Sequence, residues 1–253
     1  MVTSSKRTAI ITGATSGIGL ETARLFSQTG YQLAITGRNE TRLENLAREI
    51  GNNVLALAGD IGNISFRREL VEKTIDRFGS LDVLVNSAGI IQSDTVENVK
   101  LESYENMMNV NVTALIDLIQ QSVPHLEKTK GNILNVSSVA GTRCFPGIMS
   151  YCVSKAAVDQ LTRCAAMELA PKKIRVNAVN PGVVETMLHR NSGMDDNRYA
   201  EFLEHSKATH PIGRAGQANE VADLIAFLCS ENAGWITGGT YAIDGGRALT
   251  CAR

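Results

Sequence analysis

The stretch TAIITGATSGIG, residues 8–19, runs from apolar and β-branched residues straight into a turn with glycine at 13, 17 and 19. Thr8–Thr12 suits a strand buried on both faces. Glycine tolerates positive φ and puts no Cβ between the backbone and a neighbour, so a turn built on it brings N–H groups close to a phosphate. The residues after the turn predict a helix, whose N-terminus adds free N–H donors and partial positive charge. The spacing is glycine, three residues, glycine, one residue, glycine, and not the common GxGxxG fingerprint. The plain alternative is an ordinary strand-to-helix turn. No lysine follows Gly19, which argues against a P-loop and against nucleotide hydrolysis.

Working outward, apolar β-branched runs recur at 32–36, 53–58, 81–88, 131–138, 174–182 and 239–245. With 8–12 they predict about seven strands. Helical periodicity fills the gaps. TARLFSQTG and TRLENLAREIG each end on a glycine suited to a helix C-terminus, 101–128 is long and amphipathic, and 150–170 is rich in Ala, Leu and Met. Strand alternating with helix, with the strands apolar throughout, implies a parallel sheet covered on both faces. Right-handed crossovers make it a doubly wound, Rossmann-like α/β fold. No linker or internal repeat divides the chain, so residues 1–253 read as one domain. The mixed-polarity stretch 187–210 interrupts the alternation and reads as an inserted lid near the strand ends.

A net charge of −1 with no long basic run speaks against a nucleic-acid surface. Lys128–Lys130 and Lys172–Lys173 are short basic spots at expected helix ends. No apolar run reaches the length of a membrane span, and the N-terminus passes directly into the first strand, leaving no room for a signal peptide. The five cysteines, Cys144, Cys152, Cys164, Cys229 and Cys251, form no CxxC pair. They read as reduced packing thiols in a cytoplasmic protein. The four histidines, at 125, 189, 205 and 210, lack metal-ligand spacing and read as solvated, three of them in or near the lid.

Two further stretches bear on chemistry. The second strand ends TGRNE. Gly37 stands where an acidic residue would bond the ribose hydroxyls of NAD, and Arg38 follows it. A guanidinium suits a 2′-phosphate, so NADP(H) is favoured over NAD(H). Glu40 reads as the cap of the next helix. In SYCVSKAA, residues 150–157, Tyr151 and Lys155 are spaced i, i+4 and share one helix face.

Taken together, TGATSGIG, NSAG at 86–89, the serine pair at 137–138, YCVSK at 151–155 and PG at 181–182 resemble the short-chain dehydrogenase/reductases of about 250 residues. GRAGQANEVA and WITGGTYAIDGG resemble that family's closing segments. The resemblance covers nearly the whole chain. It implies hydride transfer between NAD(P) and a small-molecule carbonyl or secondary alcohol, in a homotetramer or homodimer, with a likeness to 3-oxoacyl-acyl-carrier-protein reductases. Tyr151, Lys155 and Ser138 match the catalytic tyrosine, lysine and serine. Asn111 matches the asparagine of a proton relay, with Asn109 as the competing choice. The implied cofactor contacts are Gly13, Ser16, Gly17, Ile18, Gly19, Arg38, Asp60, Ile61, Asn86, Ala88, Gly89, Tyr151, Lys155, Pro181, Gly182, Val184 and Thr186. Asp60 falls beside the adenine and Thr186 beside the nicotinamide carboxamide. Two positions depart from the pattern. Ser87 replaces a usual asparagine, and Ser16 stands where some NADP-using members carry a basic residue.

The chemistry explains these residue types. Hydride transfer to a carbonyl leaves an alkoxide that needs a proton and a hydrogen-bond donor, roles suited to the Tyr151 and Ser138 hydroxyls. The reverse reaction needs a phenolate, with the phenol brought from a pKa of about 10 to about 7, roughly 4 kcal/mol. Lys155 is expected to lower it, as one opposite charge shifts a pKa by about 1–3 units. A non-catalytic dinucleotide sensor on the same fold is the alternative. The four lysines at 128, 130, 172 and 173 are candidate contacts for an acidic carrier protein.

Overall fold

The computed structural model describes residues 6–250. Seven parallel strands form one sheet in the order β3-β2-β1-β4-β5-β6-β7. They are β1 (Thr8–Ile11), β2 (Gln32–Gly37), β3 (Val54–Ala58), β4 (Val83–Asn86), β5 (Asn132–Val136), β6 (Arg175–Pro181) and β7 (Thr240–Ile243). Six strands fall within runs singled out in the sequence, and β2 extends its run by one residue to Gly37.

Adjacent residues of a strand point to opposite faces, and both faces are apolar. Ala9, Ile11, Leu33, Ile35, Val83 and Val85 pack on one side with Phe26, Leu46, Val221 and Ile225. Those partners belong to α1 (Gly17–Gln28), α2 (Glu40–Ile50) and α9 (Ala218–Cys229). Ile10, Ala34, Leu84, Ile133 and Val176 pack on the other side with Leu70, Leu118, Leu126 and Ala165. These come from α3 (Ile64–Phe78), α5 (Ala114–Thr129) and α6 (Met149–Leu169). Each fully buried Leu, Ile or Phe stabilises the fold by about 1.5–3 kcal/mol.

Chain order reverses between β1 and β4, so the crossovers diverge there and leave a crevice at the carboxyl ends of the strands. The segments that follow β1, β2, β3, β4, β5 and β6 all meet at this edge. They and the strand ends and helix start that adjoin them contain Ser138 and the implied cofactor contacts, while Asn111, Tyr151 and Lys155 are brought in by helices. The stretch 101–129 is one continuous helical run with a π-helical turn at Asn109–Thr113 between α4 (Leu101–Met108) and α5. The region 187–210 holds two helices, α7 (Leu188–Asn191) and α8 (Asp196–Thr209).

Three expectations are corrected. Asn39, not Glu40, caps α2, its side-chain oxygen accepting from the Arg42 N–H at 2.9 Å, while Glu40 is the first helical residue. His210 is buried, not solvated, for reasons given below. Lys128 in the last turn of α5, Lys130 after it, and Lys172 and Lys173 after α6 lie toward the amino ends of β5 and β6, the edge opposite the crevice, and Lys172 is paired with Glu127. Among the described residues no helix is long and apolar enough to cross a membrane, and no cluster of metal-ligating side chains occurs. Cys144, Cys152, Cys164 and Cys229 are free thiols; Cys251 lies outside the described residues.

Candidate active site

The glycine turn is built by close approach. Gly13 has φ +69°, and a Cβ there would meet the Ala88 backbone at 2.9 Å. Gly17 has φ +56°, and its Cβ would lie 2.8 Å from the Thr186 methyl. The turn is thus pressed between the NSAG segment and the segment after β6. Ser16 stands at the N-cap of α1 but makes no side-chain cap, so its hydroxyl leaves the first-turn N–H groups to another acceptor. Close backbone, positive φ and an uncapped helix start together fit a dinucleotide pyrophosphate. A cleft of about 790 Å³ runs past Thr15, Ser16, Gly17 and Thr186 but does not reach Tyr151.

Thr12, not singled out in the sequence, supports the turn from beneath. Its hydroxyl oxygen accepts from the N–H groups of Ser87 and Ala88, both at 3.0 Å, which fixes the loop after β4 against β1. Asn86 points elsewhere. Its side-chain N–H₂ donates to Asn135 at 2.9 Å on the paired strand, and Asn135 donates to Thr162 on α6. The Asn86 side chain is thus turned into the sheet, its Oδ1 buried and without a partner among the described residues.

Arg38 follows β2, is exposed, and takes part in no ion pair among the described residues. Asp60 is exposed after β3, with one carboxylate oxygen accepting from the Gly62 N–H at 2.8 Å. The buried Arg67, ion-paired with Asp117, donates to the Ile61 carbonyl at 2.7 Å and so holds this loop in place. Pro181, the last residue of β6, and Val184 beyond it are buried. A Cβ at Gly182 would meet His210 Nε2 at 2.9 Å. His210 Nε2 accepts from the Val183 N–H at 3.1 Å and Nδ1 contacts the Ser206 carbonyl at 2.9 Å. These bonds assign a neutral ring protonated on Nδ1. The Tyr199 hydroxyl donates to the Thr186 carbonyl at 3.0 Å and accepts from its N–H at 3.2 Å, tying α8 to Thr186.

Tyr151 lies in the first turn of α6, whose N-cap position, Ile148, offers no side-chain oxygen. Asp94 supplies the cap from a distance. Its Oδ1 accepts from the Ser150 N–H at 2.9 Å, and its backbone pairs with Gly147 and Met149. A carboxylate here also suits the positive end of α6. The phenol packs against Met107, Ala140, Ile90, Ile91, Phe145 and Ile148, several of them partly open and forming an apolar wall.

Ser138 caps the short turn Val139–Gly141 as an acceptor, its Oγ receiving the Ala140 N–H at 3.1 Å. Its own O–H thus remains to donate, and it stands within hydrogen-bonding influence of the phenol. Lys155 is buried, with Nζ donating to the Val136 carbonyl at 2.8 Å and lying 5.6 Å from the Tyr151 ring centre.

The structure separates the two asparagine candidates. Asn111 is buried at the π-helical turn. Its Oδ1 accepts from the Ile90 N–H, and its Nδ2 donates to the Ile90 carbonyl, both at 2.9 Å. It also reaches Ser154 at 3.0 Å. A Cβ on Gly89 would lie 3.4 Å from Asn111 Oδ1 and 3.6 Å from Lys155 Nζ, so the three groups adjoin. Asn109 instead bonds the Gly62 carbonyl beside Asp60.

The electrostatics differ from the expectation of a depressed phenol. Burial pushes Tyr151 up to about 12, and the Ser138 hydrogen bond pulls only partly against it. Burial likewise lowers Lys155 to about 8, with Asp159 opposing. The lysine does not rescue the phenolate because its ammonium is directed at the Val136 carbonyl and is itself costly to ionise here. In the cofactor-free chain burial thus favours the neutral phenol.

A family model described as enoyl-(acyl carrier protein) reductase matches residues 13–248. The chain is 36% identical over 247 residues to 3-oxoacyl-acyl-carrier-protein reductase FabG of Thermotoga maritima, covering 96% of this chain and 98% of that one. It is 37% identical over 246 residues to glucose 1-dehydrogenase of Gluconobacter oxydans, covering 95% and 91%. A short-chain dehydrogenase/reductase of unknown function from Caenorhabditis elegans, solved with cofactor, superposes with a TM-score of 0.92 at 36% identity over 97% of this chain and 96% of that one. The 3-ketoacyl-(acyl-carrier-protein) reductase of Brucella melitensis, complexed with NADH, gives 0.87 at 34% identity over 96% and 98%. The substrates named for these relatives differ, and oxidoreduction is common to them. The chain belongs to the short-chain dehydrogenase/reductase family and is an oxidoreductase that works with a nicotinamide dinucleotide.

Proposed function

We propose that this enzyme reduces a ketone, a 3-oxoacyl thioester or another carbonyl compound, with NADPH as the preferred reductant. The observation that carries the reading is the Tyr151 phenol, set in an apolar wall beside a serine whose O–H is left to donate. The nicotinamide supplies the hydride when bound. Tyr151 donates the proton to the carbonyl oxygen, and Ser138 stabilises the charge that develops on it. Lys155 holds the nicotinamide ribose, and Asn111 orders the route by which protons reach Lys155. In the reverse direction the same phenol serves as the base that receives the alcohol proton.

Support for the cofactor position comes from the uncapped α1 and the glycine contacts. Arg38 is free to take the 2′-phosphate, with Asp60 and Ile61 at the adenine. The 86–89 segment lies at the ribose, and Pro181, Gly182, Val184 and Thr186 lie at the nicotinamide. The 187–210 region acts as a lid over one domain. Exposed Ile116, Val153 and Met167 on α5 and α6, and Trp235 before β7, support assembly as a homotetramer or homodimer. The thiols, none of them paired among the described residues, favour a cytoplasmic location.

The test is a panel of ketones and 3-oxoacyl thioesters with NADPH and with NADH, followed at the nicotinamide absorbance band. Turnover faster with NADPH is expected. Tight NADPH binding without turnover across the panel would overturn the proposal in favour of a sensor.

A further inference from the structure

Asp159 is 1% exposed, lies one turn beyond Lys155 on α6, and has no part in the chemistry above. A buried carboxylate persists only where hydrogen bonds hold it. Asn180, near the end of β6, donates from Nδ2 to both oxygens of Asp159, at 3.1 and 2.9 Å, and to the Ser138 carbonyl at 3.0 Å. The opposite amide orientation would set an oxygen against three acceptors, so this orientation is the one the surroundings permit. The Ser137 hydroxyl donates to the Lys155 carbonyl at 3.2 Å, a second tie between the strand end and α6. A Cβ on Gly141 would meet Asp159 Oδ2 at 2.5 Å and the Lys155 carbonyl at 2.9 Å, so the turn that follows Ser138 rests directly on this carboxylate. One side chain thereby ties the strand end that carries Ser138 to the helix that carries Tyr151 and Lys155. The arrangement leaves Asn180 Oδ1 buried without a partner, a penalty that an apolar pair would avoid.

We propose that Asp159 is a positioning residue that, through Asn180 and the turn at Gly141, sets Ser138 relative to Tyr151 and Lys155. This rests on the reading of those three as catalytic. Displacing a catalytic group by about 1 Å can lower a rate on the order of 100-fold. Asparagine at 159 keeps one of the two bonds, since its single oxygen accepts from Asn180 while its N–H₂ cannot. Leucine removes every bond.

The experiment measures carbonyl reduction per NADPH-binding site for Asp159→Leu and Asp159→Asn, each alone and with Ser138→Ala. Asp159→Leu is expected to lose roughly 10- to 100-fold in kcat with the Kd for NADPH unchanged, and Asp159→Asn, which keeps one bond, to lose less than Asp159→Leu. In the Ser138→Ala background, Asp159→Leu should add less than about 2-fold, because the residue acts through the serine. If Asp159→Leu does not fold, Asn180→Ala severs the same link and should show the same loss and the same non-additivity. Multiplying losses, an Asp159→Asn as impaired as Asp159→Leu, or unaltered kcat in the severed variants overturns the inference. A fully active Asp159→Leu beside an inactive Tyr151→Phe overturns it alone. An active Tyr151→Phe overturns the catalytic reading as well.

Discussion

Lys155 offers a pH signature. Burial sets its ammonium at about 8, against 10.5 for an ordinary lysine. A group of that pKa is about 90% charged at pH 7 and about 10% charged at pH 9. If the charged form is needed to receive the cofactor, kcat/KM for NADPH should be level up to about pH 7 and roughly tenfold lower at pH 9. This parameter reports groups of the free enzyme, so the value for the cofactor-free protein is the relevant one. The phenol of Tyr151, at about 12, stays protonated throughout this window. The neighbouring Cys152 thiol is raised by burial, which leaves it neutral at pH 7. The assay is the initial rate of carbonyl reduction at limiting NADPH, from about pH 7 to 10, for wild type and Lys155→Gln. The variant should be slow and should lack the inflection. A wild-type profile flat through pH 9.5, or an inflection preserved in Lys155→Gln, would refute the assignment.

Gly141→Ala places a methyl 2.5 Å from Asp159 Oδ2 and 2.9 Å from the Lys155 carbonyl. Overpacking of this kind destabilises by about 1–3 kcal/mol, so thermal melting should fall by several degrees; an unchanged Tm would mean that the turn is not pressed on α6. Arg38→Asp should weaken NADPH relative to NADH by roughly 10- to 100-fold, the worth of a charge-assisted phosphate contact. An unaltered cofactor ratio in steady-state kinetics would show that Arg38 does not read the phosphate. Tyr151 is raised in the folded chain from 10.0 to about 12, so its contribution to stability is complete below pH 10 and is lost as pH rises toward 12. That loss amounts to about 3 kcal/mol. Denaturant melts of Tyr151→Phe should therefore decline less steeply with pH above 10, and parallel curves would contradict the buried phenol.

Much of the fold was legible because it rests on short-range signals. The doubly apolar strands dictate burial on both faces, and the glycines at 13, 17 and 19 mark the turn. Tyr151 and Lys155 share a helix face by spacing alone. What the sequence left open is long-range pairing. Asp94 caps α6 from 56 residues away, and nothing in QSDTV announces it. Thr12 looks like one more β-branched strand residue until the β4 loop comes down on its hydroxyl. Asn86 and Asn135 meet only because β4 and β5 are neighbours in that register. His210 sits among polar residues and reads as solvated, yet the loop after β6 folds over it. The phenol's acidity went the other way because spacing shows the adjacent ammonium but not the depth of burial, which dominates both groups.

The most direct measurement concerns the proton. Reduction of the best carbonyl substrate is compared for wild type and Tyr151→Phe, with the Kd for NADPH measured alongside. Loss of a positioned general acid typically lowers the rate about 10²- to 10⁴-fold. The account predicts a fall of that order in kcat with NADPH binding intact. A phenylalanine variant that turns over at the wild-type rate would contradict it.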